Sequence, residues 1–303
     1  MFGVLRQCSV AGQGVARLAS HAGITIRPMS EPIPFEPWRV ASIEERRIAD
    51  VLGVLAHEKL EWAGGVAACS EPGSWLNQVI GAGDGVAVSE ADVEDVARWY
   101  EARGVEPKIV IHPYVHTSLT SALGAAGFRL KTAEIVIGAE LDGTSREAVP
   151  APPEGVTIDV LDKNDAQAVE EVVQMCARCF RPDVEPPDPH LVDSTRRSIH
   201  HPRAIMLVAK VDGQLAAAGG FEQFENLAAL YGAATAKPFR GRGIQQALIY
   251  KRLDVARERG AKWALVTSLP RTGTERNALR CGMRQFYTRL EFVRPGEGLV
   301  ASP

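Results

Sequence analysis

The chain contains two copies of one pattern, and this internal repeat constrains the fold more than any other feature of the sequence. Residues 97–112 (ARWYEARGVEPKIVIH) and 253–267 (LDVARERGAKWALVT) each predict a helix that stops at Arg-Gly and is followed by a buried strand. At the same distance behind each strand, residues 121–128 and 277–283 predict a short helix that ends in glycine and a large apolar residue. We therefore expect two halves built on one α/β unit, joined by the linker 146–155, which carries three prolines and a glycine.

The second half predicts a definite order of elements. Residues 156–161 alternate as a strand does, and residues 165–180 place apolar side chains on one helical stripe. Asp212-Gly213 marks a hairpin, and Gly260 is expected to end a later helix. The predicted order is β-α-α-β-β-β-α-β-α-β, with a glycine-rich loop between the fourth strand and the third helix.

That loop, residues 237–249 (KPFRGRGIQQALI), is the candidate binding site. Gly241 and Gly243 stand just before a helix, although glycine costs a helix about 1 kcal/mol relative to alanine. The backbone N–H groups of 241–245 are expected to approach a phosphate closely, and the helix N-terminus favours negative charge. Arg240 and Arg242 add local positive charge. The alternative is a glycine-rich turn with solvated arginines.

The loop and the order of elements together resemble the GNAT superfamily of N-acetyltransferases. Residues 240–245 (RGRGIQ) match the family signature Q/R-x-x-G-x-G/A at five of six positions, and Gln245 stands where glycine or alanine is usual. The resemblance extends over residues 156–295. It implies an α/β (α+β) protein of two tandem GNAT-like domains, each a mixed, mostly antiparallel sheet flanked by helices. The domains would be a degenerate one at 30–145 and an intact one at 156–303.

The resemblance also implies a reaction. Acetyl-CoA would be the co-substrate, without a metal, and its acetyl group would pass to an amine, either a small molecule or a peptide. The implied cofactor-binding residues are the strand edge Ala234, Thr235 and Ala236, the loop residues Arg240, Gly241, Arg242, Gly243, Ile244 and Gln245, and Asn277 on the following helix. Asn277 has the alternative of capping that helix. For the whole protein, the alternative is a non-catalytic acyl-CoA-binding or regulatory role.

Catalytic candidates follow from what the family pattern lacks here. Many members carry a tyrosine that protonates the leaving thiolate, at the position that Ala278 occupies in this chain. Tyr287 and Tyr231 are the candidate substitutes, each with the alternative of a sheet tyrosine whose hydroxyl lies at the surface. Glu222 is the candidate general base, with Glu225 beside it, against the alternative of an exposed hairpin carboxylate.

The first half lacks the binding signature. At the equivalent junction, residues 80–96 (IGAGDGVAVSEADVEDV) keep glycines but have no arginine, and the spacing G-x-G-x-G is not that of a dinucleotide-binding loop. Four acidic residues, Asp84, Glu90, Asp92 and Glu94, would repel a pyrophosphate. We therefore expect one acetyl-CoA site per chain.

The composition limits the kinds of partner that the chain is expected to bind. A net charge of −3 and a pI near 6.2 provide no basic field for nucleic acid or an anionic membrane. Five cysteines, an odd and small number, favour a reducing compartment, so we expect a cytoplasmic protein, with a homodimer allowed. Cys176 and Cys179 have no second pair of ligands to complete a metal site.

The acidic, proline-rich loop 183–189 is expected to border the acceptor site, and its charge hints at a cationic amine as the acceptor.

The first residues form a separate question. Residues 1–29 contain three arginines and no acidic residue, a composition that resembles a transit peptide. The alternatives are a disordered N-terminal extension, which we favour, and a start codon assigned too early, with Met29 as the true first residue.

Overall fold

A computed structural model describes residues 36–141 and 150–302. The predicted extension 1–29 and residues 146–149 of the predicted linker lie outside the described residues. We call residues 37–141 the first half and residues 150–302 the second half. The first half contains α1 (Pro37–Leu55), β1 (Glu58–Trp62), β2 (Gly65–Cys69), β3 (Gln78–Ile80), α2 (Glu90–Glu101), β4 (Lys108–Ile111), α3 (Thr117–Ala125) and β5 (Arg129–Glu140).

The second half follows the order that its sequence predicts. It contains β6 (Val156–Val160), α4 (Ala166–Phe180), α5 (Pro189–His200), β7 (Ala204–Val211), β8 (Gln214–Phe224), β9 (Leu227–Thr235), a 3₁₀ turn (Lys237–Phe239), α6 (Ile244–Glu258), β10 (Trp263–Ser268), α7 (Gly273–Arg280) and β11 (Arg284–Val293). The predicted fold class, a mixed and mostly antiparallel sheet flanked by helices, is confirmed. No helix in the described residues is both long and apolar enough to cross a membrane.

All eleven described strands belong to one sheet, in the order β1-β2-β3-β4-β11-β5-β10-β9-β8-β7-β6. Two neighbouring pairs, β3 with β4 and β9 with β10, are parallel, and they occupy equivalent places in the two halves. The other neighbours are antiparallel. The described residues from Pro37 onward form a single compact unit.

The two halves exchange their last strands at the centre of this sheet. Strand β5 of the first half lies between β10 and β11, and β11 of the second half lies between β4 and β5. The junction is tightly packed, because a Cβ atom built on Gly138 of β5 would lie 2.1 Å from the ring of Phe286 on β11. Only glycine fits there. Each half therefore depends on the other for one strand of its sheet.

Helices cover both faces. Helix α1 packs on the face that carries Ala68 and Val110, and α4 and α5 pack on the face that carries Met206 and Val208. Helices α6 and α7 cover the opposite face of the second half, as α2 and α3 do in the first. Although α1 belongs to the first half, it reaches across to β9 and α5. The central part of the sheet is thus enclosed by elements from both halves.

The strand exchange leads to a prediction about the isolated second half. Residues 150–303 produced alone would lack β5, which would leave the edge of β10 unpaired and separate it from β11. We expect no cooperative thermal unfolding transition for this fragment, followed by circular dichroism, and recovery of the transition when residues 36–141 are co-produced. A monomeric 150–303 fragment that unfolds cooperatively would contradict the structural dependence.

Candidate active site

Strands β9 and β10 run side by side and then separate. They pair from Leu227 opposite Trp263 to Leu230 opposite Val266, although β9 continues to Thr235 and β10 to Ser268. Beyond Leu230 no ladder joins the two strands within the described residues. A cleft therefore opens at the centre of the sheet, at the carboxyl ends of two parallel strands, where ligands commonly bind in α/β proteins.

A bulge in β9 lies where the cleft begins. Ala218 pairs with Ala234 and Gly220 pairs with Tyr231, so that two residues of β9, Gly232 and Ala233, oppose one residue of β8. Gly232 has a φ of 61°, in the left-handed region that glycine adopts easily. Bulges redirect backbone groups away from the ladder and are common beside active sites.

The glycine-rich loop follows β9 and leads into α6, whose N-terminus has no side-chain cap. Helices α2, α3, α4, α5 and α7 each begin with a side chain that accepts a hydrogen bond from the first turn. Helix α6 begins instead at Gly243, which has a φ of 76°. Its first N–H groups are therefore left to bind a ligand or solvent, as in anion sites at helix N-termini.

The space in front of this helix is open. A Cβ atom built on Gly241, which has a φ of 78°, would meet no protein atom within 4 Å. Arg240 donates from Nε to the carbonyl oxygen of Thr235 at 3.0 Å, and the Arg242 guanidinium lies over the Phe239 ring, 5.6 Å from its centroid. The loop thus presents backbone donors and two nearby guanidinium groups, although the whole chain is acidic.

Asn277 and Gln245 form a polar contact between α7 and α6. Asn277 donates from Nδ2 to Gln245 Oε1 at 2.7 Å, and Gln246 donates from Nε2 to Asn277 Oδ1 at 3.3 Å. Asn277 is not the cap of α7, because Thr272 accepts from the N–H of Glu275 and fills that position. Gln245 also lines the cleft. The unusual residue of the loop signature is therefore held in place by Asn277.

A cavity of about 510 Å³ extends from the cleft beneath α1 and is lined by charged side chains. Arg47 of α1 donates to Glu44 Oε2 at 2.7 Å and to Glu222 Oε2 of β8 at 2.6 Å. Arg203 donates from Nε to Glu222 Oε1 at 2.8 Å. Glu222 is 3% exposed, so the alternative of an exposed hairpin carboxylate is wrong. Glu225, beside it, is half-exposed and pairs with Arg46 at 3.0 Å.

The two candidate tyrosines lie in different places. Tyr231 lines the cavity and donates to the carbonyl oxygen of Ser198 at 3.2 Å, and burial raises the pKa of its hydroxyl. Tyr287 packs against the Tyr114 ring, its hydroxyl has no hydrogen-bond partner in the described chain, and it is not among the residues that line the cavity. Neither hydroxyl lies at the surface, so that alternative is wrong for both.

Arg252 of α6 lies beneath the bulge. Its guanidinium donates to the carbonyl oxygens of Leu248 and Gly220, both at 3.2 Å, and a Cβ on Gly219 would lie 3.2 Å from Cζ. No carboxylate in the described residues pairs with it. Burial lowers the pKa of Arg252 to about 10, which leaves the group charged at neutral pH.

In the first half, the junction between β3 and α2 corresponds to the glycine-rich loop before α6, and side chains of the protein itself occupy it. Strands β3 and β4 pair at Val79 and Ile109 only, and the loop that follows β3 leads to α2. The Glu45 carboxylate accepts from the N–H of Gly81 at 3.3 Å, and Ser89 and Asp92 close the start of α2 as a capping box. Burial raises the pKa of Glu45 to about 7. No open helix N-terminus corresponds to that of α6 here.

Sequence reasoning missed Glu44, Arg47, Trp75 and Arg252. The first three belong to α1 and to the β2–β3 loop, outside the repeated pattern, and no local signal connects them to residues far along the chain. Arg252 carried a usable signal in the sequence, because it lies on the buried side of α6, with Leu248 and Ile249, where an apolar residue is expected.

In the described residues, no group of three or more His, Cys, Asp or Glu side chains could hold a metal ion.

Comparisons with known proteins agree with this geometry. Residues 169–283 match the model of the acetyltransferase (GNAT) family. The second half carries a GNAT domain. The match includes the cleft, the bulge and the glycine-rich loop. The predicted resemblance is thereby confirmed. No curated protein matches the chain.

Solved structures extend the likeness to the first half. A GCN5-related N-acetyltransferase from Kribbella flavida is 18% identical, with a TM-score of 0.61, and the alignment covers 87% of this chain and 97% of that one. A tandem GNAT protein from the clavulanic acid biosynthesis pathway is 12% identical, with a TM-score of 0.60 and coverage of 82% and 89%. At these identities the likeness concerns the fold. Because the alignments extend well beyond residues 169–283, the likeness in fold includes the first half as well.

The open loop generates a matched pair of variants. Gly241→Ala places a methyl group in the space before α6 and should weaken CoA binding about tenfold or more, which is about 1.4 kcal/mol. Gly260→Ala is the control, because Gly260 has a similar φ of 85° and similarly open surroundings at the far end of the same helix. Isothermal titration with CoA should distinguish the two, and equal losses would mean that backbone strain alone is responsible.

Proposed function

We propose that the chain is an acetyl-CoA-dependent N-acetyltransferase whose working site lies in the second half. The observation that carries the proposal is the uncapped N-terminus of α6, which stands behind an open glycine loop at the end of β9, beyond the point where β9 and β10 separate. A diphosphate fits this place by charge and by space. The free backbone edge beyond Leu230 lies next to it and suits an extended amide-containing arm.

Each part of acetyl-CoA has residues of suitable chemistry. The N–H groups of 241–245, with Arg240 and Arg242, would hold the pyrophosphate. The edge of β9 at Ala234, Thr235 and Ala236 would pair with the pantetheine amides. Gln245, held by Asn277, would border the arm where it passes between the strands. Acetyl-CoA supplies the acetyl thioester.

The bulge would stabilise negative charge on the thioester oxygen during transfer. Gly232 and Ala233 line the cleft, and their backbone N–H groups would be the donors. Donors aimed at a developing oxyanion are a large term in acyl transfer. Arg252 adds a buried positive charge next to the bulge, where it donates to the carbonyl oxygen of Gly220 on β8. The two features are independent of the identity of the acceptor.

Proton transfer requires an acid and a base. As the C–N bond forms and the C–S bond breaks, the nitrogen loses a proton and the leaving sulfur gains one. Tyr231 is the proposed donor, because it lines the cavity beside the bulge and its hydroxyl, whose pKa burial raises, carries a proton at neutral pH. Both oxygens of Glu222 already accept hydrogen bonds from arginines, Arg47 and Arg203. We assign acceptance of the proton to Glu222 together with His201, whose Nδ1 lies 3.6 Å away and whose pKa is lowered by burial.

The alternative is a non-catalytic acyl-CoA-binding protein. The chain lacks the family's usual tyrosine at Ala278, which favours this alternative, and the phosphate loop suits both functions. The decisive experiment is thiol release from acetyl-CoA in the presence of a panel of amines. Binding of CoA without turnover of any amine would favour the non-catalytic role.

The positions of the two tyrosines generate a paired prediction. Tyr231→Phe should lower kcat about 10²-fold, a typical contribution of general acid catalysis, and leave the KM for acetyl-CoA near its original value. Tyr287→Phe should leave kcat unchanged, because Tyr287 does not line the cavity and its hydroxyl has no hydrogen-bond partner among the described residues. A loss with Tyr287→Phe and none with Tyr231→Phe would reverse the assignment.

The asymmetry of the halves predicts the stoichiometry. Isothermal titration with CoA should give one site per chain, because the first half fills its equivalent place with Glu45 and a capping box. Gly85→Ala is the informative control, since Gly85 has a φ of 70° and open surroundings like those of Gly241. It should leave binding unchanged. Two equal sites would show that the first half also binds CoA.

A further inference from the structure

A second cavity adjoins the first on the face of the sheet that α4 and α5 cover. It has a volume of about 450 Å³, within the usual range for small-molecule sites. Tyr231 and Gly232 line both cavities, so the two meet at the bulge of β9. A molecule in the second cavity would therefore extend to the point where the acetyl group is expected.

The walls of this cavity are mainly apolar. Cys176, Ile199 and Met206 form a buried part, and Phe180, which is 45% exposed, and Leu191 also line it. Two contacts between ionisable residues occur in the lining: Arg181 pairs with Asp188 at 3.1 Å, and His190 Nδ1 lies 3.3 Å from Glu71 Oε1.

Ion pairs also involve the acidic loop 183–189, whose charge hints at a cationic acceptor in the sequence. Besides Asp188, which pairs with Arg181, Glu185 lies 3.7 Å from Arg178. Two carboxylates of the loop thus already have cationic partners within the chain. The charge of the loop is therefore weak evidence for a cationic acceptor.

One wall comes from the first half. The loop between β2 and β3, residues 70–77, is held by Asn77, which accepts from the N–H of Ser70 at 2.6 Å and donates to the carbonyl oxygen of Glu71 at 2.9 Å. From this loop, Trp75 lies in both cavities and donates from Nε1 to Ser194 Oγ of α5 at 3.3 Å. The half without a phosphate site thus contributes to the surroundings of the transfer point.

We propose that the second cavity receives the apolar body of the acceptor, and that the acceptor is an amine attached to an apolar group, with Trp75 as a specificity-determining residue. The inference rests on the proposed function. Binding of an apolar group is favoured here because it removes apolar surface from water. A polyamine would place further ammonium groups among mainly apolar walls, where Asp188 already pairs with Arg181, and burying those ammonium groups is unfavourable.

The test measures binding and turnover separately. With CoA bound to the full chain, 2-phenylethylamine and n-octylamine are titrated against spermidine and ethanolamine by isothermal titration. The apolar amines should bind at least about tenfold more tightly than the polar ones. Trp75→Ala should weaken their binding about tenfold and leave CoA binding unchanged. Trp38→Ala is the control, because Trp38 is 52% exposed and lines neither cavity.

If Trp75→Ala disturbs the β2–β3 loop, a variant that partly fills the second cavity provides a second measurement. Leu191→Trp should raise the KM of n-octylamine and leave that of a small amine such as ethylamine unchanged. Preferred binding of spermidine, or apolar binding that neither variant alters, would overturn the inference. Apolar amines that bind in a Trp75-dependent manner but are never acetylated would support the cavity and overturn the proposed transfer reaction.

Discussion

The antiparallel pairing of β5 with β11 is the interaction on which the rest of the structure depends. It places the last strand of each half inside the other and turns two repeated units into one sheet of eleven described strands. Gly138 is required at the junction because Phe286 occupies the space where a side chain would lie. Through this pairing, α1 of the first half comes to cover the cavity of the second.

Buried charges then determine how α1 sits on the sheet. Arg47 joins Glu44 on its own helix to Glu222 on β8, and Arg289 of β11 lies 3.3 Å from Glu45. Burying such pairs adds little net stability, but removing one partner typically costs about 3–5 kcal/mol because the other charge remains buried. The ion pairs therefore favour one position of α1, and with it one shape of the cavity.

The same α/β unit serves two purposes in this chain. In the second half, the parallel pair separates over five residues of β9, and the following helix begins without a cap. In the first half, a carboxylate and a capping box occupy the equivalent place, while the β2–β3 loop contributes Trp75 to the neighbouring site. Under the proposed function, the repeat combines one half that binds the phosphates of the co-substrate with another that shapes the acceptor side.

The sequence by itself determined the repeated unit, the order of elements in the second half and the glycine loop before α6. These are local properties, because periodicity, turn residues and glycines act within a few residues of one another. The sequence also identified Glu222 and Tyr231 as candidates, but it could not separate Tyr231 from Tyr287. Both lie in strands, and the face on which each side chain lies depends on register.

Only the tertiary structure shows that Tyr231 lines the cavity and that Tyr287 does not. A register shift in β11 between Gln285 and Tyr287 changes which face the following side chains occupy, and pairing with β5 sets that shift. The partnership of Arg47 with Glu222 spans 175 positions, and that of Trp75 with Ser194 spans 119. Such contacts follow from the order of strands in the shared sheet. Hydrophobic periodicity encodes the faces of a strand but not its neighbours, so the strand exchange and the site that both halves enclose could be found only in the folded chain.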